Sequence, residues 1–96
     1  MSAPLAIFHK DPDALLDYAI DWSLWLMDCG NDLLTSSTFT VPAGITLSQQ
    51  TYAPGGLVQF WLSGGTAGTT YAIVNHITTQ SGRAEDRTVN IIVTNR

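Results

Sequence analysis

The chain has 96 residues, 45% of them hydrophobic and 12% charged, with a formal net charge of -4 at pH 7. Cys29 is its single cysteine, which excludes an intrachain disulfide and a thiolate metal cluster. An acidic chain with four lysines and arginines also lacks the basic footprint of a nucleic-acid-binding protein. No apolar run approaches the roughly 18 residues of a membrane span, and Met1-Ser2-Ala3-Pro4 does not open a secretory signal. The chain therefore reads as one complete cytoplasmic product, a single domain over residues 1–96, with residues 1–10 expected as an extended N-terminal arm. A domain this small hides only roughly 60–65% of the surface its unfolded chain exposes, so oligomerisation is the expected support.

In chain order, Asp11-Pro12-Asp13 is a turn, because proline presets the backbone for one. The segment Asp17–Leu26 satisfies two periods. Leu15, Tyr18, Trp22 and Trp25 fit a helix. Tyr18, Ile20, Trp22, Leu24 and Leu26 alternate with more polar positions and fit a strand. Tyrosine, isoleucine and tryptophan favour strands and the acids fall on the outward face, so a strand is expected. Further strands are expected at Leu33–Val41, Ile45–Tyr52, Leu57–Leu62, Thr69–Thr79 and Arg87–Thr94. Between them lie the breakers Pro42-Ala43-Gly44, Pro54-Gly55-Gly56 and Ser63–Gly68, and the connection Gln80–Asp86. Regularly spaced strands with turn signals between them predict an all-β sandwich.

Charge is unevenly spread. Asp11, Asp13, Asp17, Asp21, Asp28 and Asp32 all lie in the first third, and Leu33–Gly82 holds no Asp, Glu, Lys or Arg. Ordinary soluble surfaces carry charges of both signs, so this neutral stretch points to surface that partners cover.

The chemical constellations are weak. Gly64-Gly65-Thr66-Ala67-Gly68 lacks the Lys-Ser/Thr pair and helix of a phosphate loop and reads as a turn. Asp17 and Asp21 share a face, yet a paired-carboxylate site needs a cleft that so small a domain scarcely offers. Asp11, Asp13 and Asp17 lack the spacing and glycine of a calcium loop. His9 and His76 have no second ligand at metal spacing, His76 reads as a hydrogen-bonded structural residue, and Cys29 reads as a spectator thiol. No enzyme activity, cofactor or metal is expected. Trp22 falls on the apolar face and is expected in the core. Trp25 and Trp61 fall on outward faces, beside Ser23 and Gln59, which leaves three readings: a protein interface, a second layer of the fold's own core, or a sugar-stacking platform. Trp25, Trp61 and Gln59 are the candidate partner interface.

Several segments resemble a family of small tailed-phage virion proteins, the fibre–tail adaptors. They are His9-Lys10-Asp11-Pro12-Asp13-Ala14 leading into Leu16–Leu26, then Thr38–Ile45, Trp61–Thr69 with Tyr71, and Ile77–Arg83. The resemblance spans about residues 7–94. It implies an immunoglobulin-like β-sandwich of about seven strands and a virion component at the tail or neck, made in the bacterial host cytoplasm. Its partners would be tail-tube, neck or fibre proteins and further copies of itself, with neither nucleic acid nor membrane among them. A capsid decoration protein and a carbohydrate-binding module on the virion surface are the alternatives. Gly68–Ile73 is similar to the entry of the penultimate immunoglobulin-like strand, where a tyrosine, here Tyr71, braces the corner.

Overall fold

Residues 6–95 are described by the computed structural model. In chain order they form β1 (Ala6–Lys10), β2 (Leu16–Asp21), α1 (Ser23–Asp28), β3 (Leu34–Thr40), β4 (Ile45–Tyr52), β5 (Leu57–Gly64), β6 (Thr70–Thr79) and β7 (Ala84–Val93). Sheet A has the order β1-β7-β6-β3 and sheet B the order β2-β5-β4. The pairings are antiparallel except β1 with β7, which run parallel with Phe8 opposite Ile91. Two sheets form a sandwich, and six of the seven strands, β2 to β7, fall where the alternation predicts them; the seventh, β1, lies in the segment expected as an arm.

Alternation decides what faces inward. Val58, Phe60 and Leu62 of β5, Tyr71, Ile73 and Ile77 of β6, and Val89, Ile91 and Val93 of β7 are buried, while their sequence neighbours are more exposed. A chain of tilted aromatic contacts crosses the sandwich: Phe8 to Tyr18 at 4.9 Å, Tyr18 to Phe60 at 5.8 Å and Phe60 to Phe39 at 4.9 Å. At the start of β6 the Thr66 backbone N–H donates to the Tyr71 hydroxyl at 2.9 Å. This is the tyrosine brace expected there.

Three expectations need correction. The strand expected across Asp17–Leu26 stops at Asp21, and Ser23–Asp28 is helical. Ser23–Asp28 contains no β-branched residue, and the Asp21 carboxylate accepts the Ser23 N–H at 2.9 Å, turning the chain. From Trp22 onward burial follows a helical step: Trp22 and Leu26 are buried, whereas Leu24, inward on a strand, is 75% exposed. Gly30 and Asn31, at φ of 85° and 60°, then end the helix. The second correction is the arm: its residues 6–10 are β1, a full member of sheet A, and residues 1–5 lie outside the described residues. Third, the connection expected over Gln80–Asp86 is shorter, because β7 begins at Ala84.

Trp22 joins the sheets. It is fully buried, and its Nε1–H donates to Oδ1 of the equally buried Asn75 on β6 at 2.9 Å. The Asn75 amide in turn donates to Ser37 Oγ at 2.9 Å and to the Thr38 carbonyl at 3.0 Å, both on β3. The Arg87 guanidinium of β7 lies 4.1 Å over the indole. Gly56 closes the other side: Trp22 N–H donates to its carbonyl at 2.9 Å, and a Cβ there would sit 2.7 Å from Ser23 N. With φ at 122°, only glycine suits the position.

Asn75→Ala leaves the buried indole N–H without a partner. It should destabilise the domain by about 1–3 kcal/mol, read as a lower urea midpoint at unchanged m value. A change under about 0.5 kcal/mol, the range of neutral surface substitutions, would contradict the role given to this bond.

Candidate partner-binding surfaces

Cα pairing brings the outward residues of sheet B together. Trp61 on β5 stands between Asp17 of β2 and Gln49 of β4, and Gln59 stands between Ala19 and Thr51. Leu57 lies opposite Asp21. Trp61 is 36% exposed, so it belongs to an outer face and not to the core between the sheets. Trp61 and Gln59 thus share one surface, polar around the indole except for Leu57 at its edge.

Trp25 is elsewhere. It sits half-buried on α1, its ring edge-on to Trp22 at 5.5 Å and 73°. The structure brings Trp61 and Gln59 together and leaves Trp25 at the end of the sandwich. The reason is the helix: alternation placed Trp25 opposite its neighbours, whereas a helical step turns it toward Trp22.

That end is formed by α1 with the loop after it, the β4–β5 turn and the β6–β7 hairpin. Main-chain bonds fasten the first two, Trp22 N to Gly56 O and Leu34 N to Pro54 O, each at 2.9 Å. Asp32 fastens the third: its side chain accepts from Ser81 Oγ, from the Ser81 N–H at 3.3 Å and from Arg83 Nη1 at 3.1 Å. Sequence reading missed Asp32, Asn75 and Arg87, since each meets partners roughly fifty or more positions away or across both sheets. It also missed Lys10, which is fully buried at the far end, where Nζ donates to the Asp11 and Gly64 carbonyls at 2.8 and 2.7 Å. Burial lowers the Lys10 pKa.

The remaining candidates stay apart. Asp17 and Asp21 lie on the open face of the edge strand β2, and the Ser23 backbone N–H holds the Asp21 carboxyl below its ordinary value. His76 pairs with Asp86 across β6 and β7, in keeping with a structural role. Among the described residues no group of three or more His, Cys, Asp and Glu is placed to hold a metal ion. No helix among them is long and apolar enough to cross a membrane.

Residues 10–92 match the family described as Podophage GP4 fiber-tail adaptor protein gp77. No curated protein matches the chain. Among solved structures, the solution structure of the PKD domain from KIAA 1837 protein is similar, with a TM-score of 0.57 and 18% identity over 98% of this chain and 83% of that one. At that identity the likeness shows a shared fold, an immunoglobulin-like sandwich, as the family resemblance implied.

Asp32 gives the domain a pH dependence. Hydrogen bonds from Ser81 above all, then from Thr79, Leu33 and Arg83, hold its carboxyl well below the usual carboxylate range. In the unfolded chain the group titrates near 3.9, so below that value the unfolded state binds the extra proton. The stabilisation is therefore complete above about pH 4–5 and is lost progressively as the pH falls further. Asp32→Asn should be less stable than the parent at pH 7, and the gap should narrow below about pH 4. Urea titrations across pH 2–7 measure both, and a gap that is constant with pH would contradict this account.

Proposed function

The chain belongs to the podophage fibre–tail adaptor family, and from that premise we propose that it is a non-enzymatic structural protein of a phage particle. It is seated at the tail or neck in several copies and holds fibres there through protein–protein contacts. The observation that carries the proposal is the family match over residues 10–92, nearly the whole of the domain. The physical character of the surface supports it. Sheet B presents Trp61, Gln59, Gln49 and Thr51 side by side, with charge only from β2 at its border. Such a face desolvates cheaply, because amides and hydroxyls can re-form their hydrogen bonds across an interface. An indole at its centre supplies the large apolar contact typical of binding hot spots.

Trp61→Ala tests this reading. Because Trp61 lies outside the inter-sheet core, its loss should cost about 1 kcal/mol or less of stability, the scale of a cross-strand pair. If Trp61 sits at the centre of an interface, the same change should weaken incorporation into particles roughly 30-fold, the equivalent of about 2 kcal/mol. Thermal unfolding and a quantitative incorporation assay measure the two separately. Unchanged incorporation would remove Trp61 from the interface, and a stability loss of about 3–5 kcal/mol would return it to the core.

A further inference from the structure

The α1 end carries an apolar surface that the sandwich does not use. Leu24 and Met27, three apart on α1 and so on one helix face, are 75% and 61% exposed. At the same end are Leu33 and Tyr52, exposed by 42% and 41%. Solvent exposure alone would have favoured polar residues at each position, and α1 has no packing need for two large side chains pointing outward. The surface is also held in place. The Gly56 and Pro54 carbonyls fix the β4–β5 turn to α1 and β3, and Asp32 fixes the loop after α1 to the β6–β7 hairpin. Little ordering is then left to be done on binding.

Charge decides what fits there. Asp21 and Asp28 are exposed beside the apolar residues. The cations at this end among the described residues are Arg83 and Arg87, and both are engaged. Arg83 bonds Asp32 and Ser81, and Arg87 lies over Trp22 and donates to the Asp21 carbonyl at 3.0 Å. The rim is therefore acidic. Among the described residues a second copy has no matching rim to offer: Lys10 is buried, and Arg83 and Arg87 are spent at this same end. Two copies meeting here would oppose aspartate to aspartate.

We propose that the α1 end is the docking surface for a different protein of the particle, one that presents an apolar patch rimmed by lysine and arginine. The inference rests on the adaptor reading and adds to it a partner chemistry and a second contact, distinct from the face around Trp61. The test uses particles assembled from a genome lacking this gene, incubated with the purified chain, and measures bound chain against concentration. The Leu24→Ser, Met27→Ser double variant should bind at least about tenfold more weakly than the parent. Asp28→Lys should bind several-fold more weakly although a cation suits the C-terminal end of α1, and it decides the matter should the double variant unfold. Raising salt from about 0.05 to 0.5 M should weaken the parent more than Asp28→Lys. Parental binding by both variants overturns this inference and leaves the adaptor reading standing. A parent chain that does not bind the particles overturns both. Self-association of the isolated chain that Leu24→Ser, Met27→Ser abolishes would assign the end to a second copy and overturn the choice of partner.

Discussion

The bond from Trp22 to Asn75 is the constraint on which the rest of the structure depends. Burying an indole removes about 150–250 Å² from water, a gain of roughly 4–6 kcal/mol at most. An unpartnered N–H in the same place would take back about 1–3 kcal/mol, so the gain is kept only because Asn75 Oδ1 accepts its hydrogen bond. Asn75 can do so because its amide is itself satisfied by Ser37 and Thr38. One chain of three hydrogen bonds thereby ties the end of β2 in sheet B to β6 and β3 in sheet A. The same residue starts α1, receives the Gly56 carbonyl on its backbone and carries Arg87 on its ring. The helix, the glycine turn and the arginine are arranged around it, and the apolar end of the sandwich follows from where the helix begins.

The neutral middle of the sequence acquires a more exact meaning in the fold. β3 and β4 are the outer strands at one side of the sandwich, one in each sheet, and neither contains a charged residue. Exposed strand edges of that kind invite pairing with other chains unless something interrupts them. Each edge has an interruption in place of charge: the register shifts between Leu34 and Ser36 in β3, and between Leu47 and Gln49 in β4. These bulges discourage uncontrolled edge pairing while leaving the outer faces free of charge. What these two edges leave open to a neighbour is the side-chain faces rather than the strand edges.

Much of this was legible in the sequence because strand alternation is a local signal. Val58, Phe60 and Leu62 announce their shared face without any knowledge of the fold, and Pro54-Gly55-Gly56 announces the turn that follows β4. Trp22 was legible as core for the same reason. What failed was the step after it. Leu24 and Leu26 continue the alternation on paper, but the aspartate before Ser23 caps a turn and the residues beyond it lack β-branching, so the chain coils and Leu24 swings outward. The displacement of Trp25 from the sheet face to the helix follows from that one error of period. Asp32 and Lys10 were beyond reach for a different reason: their partners, Ser81 with Arg83 and Gly64, come near only after both sheets have formed. β1 was hidden because its parallel pairing with β7 joins the two ends of the chain.

On the proposal made above, the small sandwich of this fibre–tail adaptor family member carries two separate contact regions, the face around Trp61 and the end capped by α1. A density map of the intact particle, at a resolution that places side chains, tests this most directly. It should show the chain at the tail or neck, with Trp61 covered by one neighbour and with Leu24 and Met27 against a different protein that brings lysine or arginine toward Asp28. A map in which the chain sits on the capsid, or in which both regions face solvent, would contradict it.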